Sequence, residues 1–343
     1  MKRLLAVAFI VLVLGAAGAA SWWYLHDGRL TRFGEATFGA GTRVVEIPAG
    51  TNPKGVAKLL ADRRVVADAD LMYAWLKRQK LGPKLRAGEY EFVGPLTPGQ
   101  VAEKIVSGQV KLYRFTVPEG LRVDEILPLL AGTELGLDLG KLKQLAATPA
   151  FVRKTGTPAD GLEGFLFPDT YSFPKGATAE QVLTKMVSRT LEELRQSPRK
   201  AGVNLDWLQT VTLASIIEKE TGASELDQRA HISCVFHNRL RENWRLDTDP
   251  TVIYAMLLLR GQYSKNLTRR DLETPHPYNT YRNEGLPPGP IASPGVAALH
   301  AALNPIDCPD FFFVSRNDGT SVFCPDTKCH NAAVEKFQRR SQK

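Results

Sequence analysis

The sequence predicts an α+β protein behind an N-terminal apolar helix, and three observations carry that prediction. An uncharged stretch runs from Leu4 to Leu25. The first half of the body alternates short β-type runs with amphipathic helical patterns, and from Leu205 onward longer helical patterns lead into a closing hairpin. Patterns with a period near 3.6 and patterns with a period of 2, kept in separate runs, mark this class.

The apolar stretch is the strongest single signal. Leu4 to Leu25 is long enough to cross about 30 Å of hydrocarbon as a helix. Lys2 and Arg3 precede it and Trp22-Trp23-Tyr24 close it, an arrangement that keeps the N-terminus cytoplasmic and seats aromatic rings at headgroup level. A cleaved signal peptide is the competing reading, because Ala17-Gly18-Ala19 offers small residues and Leu4 to Leu14 is a short apolar core. The aromatic belt favours an anchor over residues 1–27. Either reading exports the body.

The 343 residues, 43% of them apolar, suffice for two domains beyond that segment. A net charge of +8 favours an acidic partner: nucleic acid, anionic lipid or a carboxylate-bearing polymer. Lys and Arg are scattered, without the basic and aromatic interleaving that stacks bases, which argues against nucleic acid. An exported body permits disulfides. Of the four cysteines, Cys308, Cys324 and Cys329 cluster late and Cys234 stands apart, so a Cys308 to Cys324 bridge is the expectation. Cys324, Cys329 and His330 fall short of the four ligands of structural zinc, and neither metal nor cofactor is expected.

In the first half, four stretches repeat one design of strand, Pro/Gly turn and helix. They are Val45 to Gly50 leading to Val56–Leu60, Tyr90 to Thr97 leading to Val101–Ile105, Phe115 to Gly120 leading to Ile126–Leu130, and Tyr171 to Gly176 leading to Val182–Met186. In the second half, Asp206 caps a helix to about Glu220, a second helix runs from Asp227 to Asn243, and Asp249-Pro250 reads as N-cap and first residue of a third. The stiff loop Gly285 to Gly295 precedes a fourth helix at Val296 to Leu303. Phe311–Val314 and Ser321–Phe323, around Asn317-Asp318-Gly319, read as a hairpin.

The chemistry rests on carboxylates, since the chain has no nucleophile elbow, His-Glu-x-x-His, phosphate loop or dinucleotide fingerprint. Leu213 to Thr221 places Glu218 and Glu220 late in an apolar helix. On a helical wheel Glu218 lies beside Trp207, Val211 and Ala214, and Glu220 lies between Leu213 and Ile216. A carboxyl among apolar neighbours resists ionising, so it can carry a proton near neutral pH, as a general acid must. The bland alternative is a frayed helix end whose acids pair with Lys219 or Arg229. Downstream, Leu246 to Thr251, Pro277 to Tyr281 and His237-Asn238-Arg239 collect hydroxyls, amides and rings suited to sugars. Each also has an ordinary reading as cap, turn or surface cation.

Taken together these residues resemble one family. Glu163-Gly-Phe-Leu-Phe-Pro-Asp-Thr-Tyr171, Ala214-Ser-Ile-Ile-Glu-Lys-Glu-Thr221, Val235-Phe-His-Asn-Arg-Leu240, Asp247-Thr-Asp-Pro-Thr-Val-Ile-Tyr254, Tyr278-Asn-Thr-Tyr281, Gly285-Leu-Pro-Pro-Gly-Pro-Ile291 and His330-Asn331 follow in the order of the YceG-like endolytic murein transglycosylases. The resemblance spans about Val44 to Val334. It implies a small LysM-like βα subdomain over 44–112, a mixed helical and β catalytic domain over 113–343, and a single-pass inner-membrane protein with its body outside. It makes Glu218 the catalytic acid/base. Around it, Glu220, Asn238, Arg239, Asp249, Thr251, Tyr254, Tyr278, Asn279, Thr280 and Tyr281 become the substrate-binding set. Partners implied are peptidoglycan glycan strands, the cytoplasmic membrane and peptidoglycan synthases. Cys324 and Cys329, which flank the approach to His330-Asn331, depart from the family pattern and leave the local C-terminal fold open.

Overall fold

The computed structural model describes residues 2–221, 228–262 and 266–339, and the side chains of 2–10 and 22–26 stand outside that description. Contacts divide the chain into two units, Met1–Tyr113 with Phe173–Lys175, and Arg114–Ser172 with Gly176–Lys343.

In the first unit, α1 (Lys2–Glu35) is one helix through the segment expected to anchor the chain. Among the described residues no helix is long and apolar enough to cross a membrane. Leu4–Ile10 and the aromatic triplet, on which that expectation leans, lie outside the described side chains. Further along, Val11 to Leu14 are exposed, whereas Leu30 and Phe33 are buried. β1 (Thr42–Ile47) leads to α2 (Pro53–Asp62) and α3 (Ala69–Arg78), and β2 (Gly88–Val93) leads to α4 (Pro98–Ser107). The two strands pair antiparallel, Val45 opposite Tyr90. Alternation turns Val45, Ile47, Tyr90 and Phe92 inward, where Val56, Leu60, Met72, Leu76, Val101 and Ile105 from the helices complete a core. Side chains start these helices: Asn52 accepts from the Gly55 N–H, Asp68 from Leu71, and Thr97 with Gln100 forms a capping box ahead of Pro98.

β3 (Leu112–Thr116) pairs with a strand far downstream, beyond α5 (Val123–Ala131), α6 (Leu139–Ala146) and α7 (Pro149–Lys154). That partner is β4 (Thr170–Pro174), and the hydroxyls of Thr116 and Thr170 meet at 2.8 Å. α8 (Ala179–Gln196) follows. The four strand-turn-helix units expected from the sequence are therefore present as β1–α2, β2–α4, β3–α5 and β4–α8, with their strands paired two by two. No strand immediately precedes α3, α6 or α7, which is why that pattern passes over them.

The second unit is built around α9 (Trp207–Glu220), entered through a reciprocal cap in which Asp206 accepts from the Gln209 N–H at 2.8 Å and Gln209 accepts from Asp206 at 3.0 Å. Every residue from Thr210 to Glu218 is buried, so the helix is enclosed on all faces rather than on one stripe. Against it pack α10 (Arg229–Arg241), α11 (Asp249–Arg260) and, beyond the short α12 (Arg269–Leu272), α13 (Val296–Leu303). The expected start of α10 at Asp227 lies outside the described residues. For α11 the N-cap is Thr248, not Asp249. Asp249 is drawn off as an acceptor for the Tyr281 hydroxyl at 2.8 Å, and sits inside the first turn, where an acid suits the helix dipole. The hairpin pairs β5 (Phe312–Ser315) with β6 (Ser321–Cys324) antiparallel and is followed by α14 (Thr327–Val334).

The cysteines pair otherwise than expected. Cys234 bonds Cys308 and Cys324 bonds Cys329, in place of Cys308 to Cys324. Cys234 lies on α10, one turn before Asn238, whose amide donates to the carbonyls of Cys308 at 3.0 Å and Asp310 at 2.8 Å, so the 308–310 loop is laid against that helix. Cys324 ends β6, and Cys329 lies in α14 with its N–H on the capping Asp326, close enough for a bridge with Cα atoms 5.5 Å apart. Closing a 74-residue separation constrains the unfolded chain far more than closing one of 5. Replacing Cys234 and Cys308 by alanine should thus cost about 4 kcal/mol, against about 2 kcal/mol for the Cys324 and Cys329 pair. Chemical denaturation of the two double variants checks this, and non-reducing peptide mapping checks the connectivity; equal losses would refute the ranking.

Candidate active site

Residues two apart on a helix point about 200° apart, so the two acids of α9 serve different surroundings. Glu218 is buried, 9% exposed. Its Oε1 takes a charge-assisted bond from Nη2 of Arg229 at 3.2 Å, and its Oε2 accepts the N–H of Gly295 at 3.1 Å. Gly295 is the N-cap of α13, so the carboxyl rests at the positive end of that helix. The pairing with Arg229 that the sequence left as the bland alternative is present, and the helix end is packed rather than frayed. Nε and Nη1 of Arg229, also buried, have no hydrogen-bond partner among the described residues. Lys219 swings outward and donates to the Gly120 carbonyl at 3.2 Å.

Glu220 faces the other way, into a cavity of about 590 Å³ bordered by Arg239, Asp249, Tyr281, the β5 strand and His330. It accepts from the Thr248 hydroxyl. Behind it the threonines interlock: the Thr248 N–H donates to Thr280 Oγ1 at 3.1 Å, and the Thr251 and Thr280 hydroxyls meet at 2.8 Å. Thr251 and Thr280 are buried, so they support the cavity wall rather than face its interior. Arg239 spends Nε on the Phe311 carbonyl at 2.7 Å and stacks 5.3 Å from the Phe312 ring.

The remaining residues of the expected binding set lie elsewhere. Asn238 is committed to the 308–310 loop and Arg241. Asn279, with no exposed surface, donates to the carbonyls of Leu272 and Thr274 and accepts the Tyr281 N–H, which uses the amide up inside its own loop. Tyr254 and Tyr278 pack ring to ring at 4.9 Å, and the Tyr254 hydroxyl donates to Glu163 at 3.3 Å.

Sequence reasoning passed over Glu163, although it opens the motif Glu163 to Tyr171. Besides Tyr254, it accepts the Val123 N–H at the first turn of α5 at 3.2 Å. Burial pushes its carboxyl up to about 7, against the pull of those two donors. The following Gly164 has φ +78°, and a Cβ there would fall 2.3 Å from Pro290, so only glycine lets the turn sit on the Gly285–Gly295 loop. Glu119, in the turn of the third strand-turn-helix unit, and Gly295 were likewise passed over. Glu119 is exposed, and its carboxyl is raised by partial burial and by the neighbouring Glu218, with Arg229 opposing.

Comparison with known proteins follows the same residues. The model of the YceG-like family matches residues 45–336. The chain belongs to that family. An endolytic murein transglycosylase of Bacillus subtilis is 31% identical over 314 residues, covering 85% of this chain and 84% of that protein. One from Streptococcus pneumoniae is 25% identical over 329 residues, and there the match spans 57% of the longer relative. The crystal structure of a YceG-like protein from Listeria monocytogenes superposes with a TM-score of 0.54 at 30% identity, over 86% of this chain and 99% of that one.

Glu163 makes a pH prediction. Its folded value, about 7, exceeds the ordinary 4.5, so the folded chain keeps a proton that the unfolded chain releases. That stabilisation is complete below pH about 4.5 and is lost as pH rises to about 7, a change on the order of 3 kcal/mol. Glu163→Gln, a near-isostere of the protonated acid, should flatten this fall when urea midpoints are followed from pH 4 to 8. An unchanged slope would assign the pH dependence to other groups.

Proposed function

We propose that this protein is an endolytic peptidoglycan lytic transglycosylase, a lyase that cuts the MurNAc-GlcNAc bond within glycan strands, with Glu218 as its acid and then its base. The single observation that carries the reading is a buried glutamate held by one arginine and one backbone N–H, in a chain whose family relatives are named endolytic murein transglycosylases. In its acid form Glu218 protonates the glycosidic oxygen and the C1–O bond breaks. The carboxylate left behind finds Arg229 and the Gly295 N–H already in place, which stabilises the charge and fixes the group for its second task. There it accepts the proton of the sugar's own 6-hydroxyl as that oxygen closes on C1, leaving a 1,6-anhydro end. An intramolecular attack needs no recruited water and no second carboxylate of the kind that hydrolases use.

The cavity on the opposite face of α9 supports a second reading of Glu220 as the acid, since it borders open space together with Arg239, Asp249 and Tyr281. Replacing each glutamate by glutamine separates the two. Glu218→Gln should lower turnover on purified glycan strands by at least about 10²-fold with the fold intact, and Glu220→Gln should cost far less. Mass spectrometry should find anhydro ends, one water lighter than hydrolytic ones. Reversed losses would move the catalyst to Glu220, and reducing ends would indicate a hydrolase.

The same reading places the enzyme at the inner membrane with its N-terminus cytoplasmic, held by α1. Support comes from Val11, Leu12, Val13 and Leu14, which are exposed together on one helix, an apolar surface that hydrocarbon would cover. Within the first unit, β1–α2 and β2–α4 around one core are the candidate LysM-like module, which would hold glycan, and synthases of the same polymer are the protein partners the reading implies. A C-terminal reporter should be active only outside the cytoplasm and the chain should resist an alkaline wash. A body released as a soluble species starting near Ala20 would convert the anchor into a signal peptide.

A further inference from the structure

One wall of the Glu220 cavity continues outward as a row of rings that the chemistry of Glu218 leaves unused. It begins where α10 ends. Asn243 takes the left-handed conformation with φ +56°, the Trp244 N–H turns back to the Arg239 carbonyl at 2.8 Å, and the Asn243 N–H donates to the Leu240 carbonyl at 3.3 Å. This closing turn satisfies the last carbonyls of the helix and carries Trp244 off its end. The indole lands on the start of the hairpin, 5.0 Å from the Phe311 ring and 6.0 Å from that of Phe312, and 45% of the residue stays exposed. Phe312 carries the row inward, since it borders the cavity and lies 5.0 Å from the ring of His330, which borders it too. Singly exposed apolar side chains are ordinary; this one heads a row of rings that ends in a polar cavity.

Inside, the polar groups are carboxyls and hydroxyls. Glu220, Asp247 and Asp249 border the space, and the Arg239 guanidinium beside them is already given to the carbonyls of Phe311 and Leu246. Ser315 and Ser321, opposite one another in the hairpin, add their hydroxyls. Ser321 is only 8% exposed. Its N–H goes to Gln228 at 2.9 Å, and its hydroxyl has no hydrogen-bond partner among the described residues, a cost that a ligand in the cavity would remove. Carboxyls around a committed guanidinium repel an anionic group. What suits them is an uncharged ring with an apolar face for the indole and a rim of hydroxyl and amide donors for the acids.

We infer that this row and cavity form a glycan subsite that holds an uncharged N-acetylhexosamine unit, with Trp244 stacked on the sugar face and Ser321, Asp247 and Asp249 taking its polar rim. The inference rests on the reading of the chain as an enzyme of peptidoglycan glycan strands. Because Glu220 faces away from Glu218 on α9, the sugar held here is a different one from that whose bond Glu218 breaks. An enzyme that cuts within strands has such further units within reach, and the subsite adds a grip on one of them. No bond is made or broken in it.

The test measures binding without turnover. The full-length Glu218→Gln chain in detergent is titrated calorimetrically with soluble N-acetylglucosamine oligomers, which carry no carboxyl and should bind. Adding Trp244→Leu, which keeps an apolar contact with Phe311 and Phe312 but has no ring, should weaken binding about fivefold, and Trp244→Phe should recover most of the loss. Ser321→Ala removes a single oxygen, should weaken binding about threefold, and carries the test if Trp244→Leu fails to fold. With Glu218 restored, kcat/KM on long glycan strands should fall by the same factors. Affinities equal to the parent's in the Trp244→Leu and Ser321→Ala variants would overturn the subsite. So would binding of peptide-bearing strands with none of the uncharged oligomers, or equal weakening by Trp244→Leu and Trp244→Phe, which would make the indole a packing group. The function is judged apart from this: oligomer binding through Trp244 without cutting by the unmutated enzyme refutes the enzyme and keeps the subsite, whereas cutting with unaltered binding in the variants removes the subsite alone.

Discussion

The ion pair between Glu218 and Arg229 is the constraint around which the second unit is organised. Both side chains are nearly without solvent, 8% and 5% exposed, so each charge depends on the other being held in place. A buried pair of this kind contributes little net stability against an apolar pair, but losing one partner is expensive because the remaining charge has no water. It therefore restricts what can pack around the end of α9. The N-cap of α13 must offer its N–H, α10 must start where Arg229 can reach, and the 119–121 turn must close over the top. Where stability gains so little, the retained charge points to chemistry.

Opposite that pair, the same helix ends in a different environment. Glu220 meets a shell of threonines and a cavity wall drawn from α10, α11 and the hairpin. The threonine hydroxyls act as short struts that tie the start of α11 to the 280 loop and to Glu220, so the wall behind the cavity has its polar groups satisfied before any ligand arrives. Asn279 and Asn238 work in the same way, one folding the 272–281 loop on itself and the other tying the 308–310 loop to α10 beside the Cys234 to Cys308 bridge. Much of what reads in sequence as a polar recognition surface is the internal bracing of that surface.

The legibility of the chain follows the range of the forces. Local rules sufficed for the four strand-turn-helix units, the capping of α9 by Asp206, the stop and restart of the chain at Gly285 to Gly295, and the closing hairpin, because caps, turns and periodicity act within a few residues. The motif set, read as a whole, also led to the family and to Glu218. The cysteine pairing was not legible, since it depends on which loop Asn238 draws onto α10. Nor was the N-cap of α11, where a tyrosine 32 residues away claims the side chain of Asp249.

By itself, then, the sequence determined the four strand-turn-helix units, the helices from Asp206 onward that border the site and the closing hairpin, because caps, turns and periodicity are written in neighbouring residues, and the resemblance of its motifs put forward the acid on which the chemistry is proposed to turn. Only the tertiary structure decided what surrounds that acid. Arg229 lies 11 residues from Glu218 and Gly295 lies 77 away, while Glu119 reaches the site through a strand-turn-helix unit whose local pattern is the same as that of the other three. Helical periodicity could place Glu218 and Glu220 on different faces, but whether a face meets a guanidinium, a glycine or an open cavity is set by packing between helices far apart in the chain.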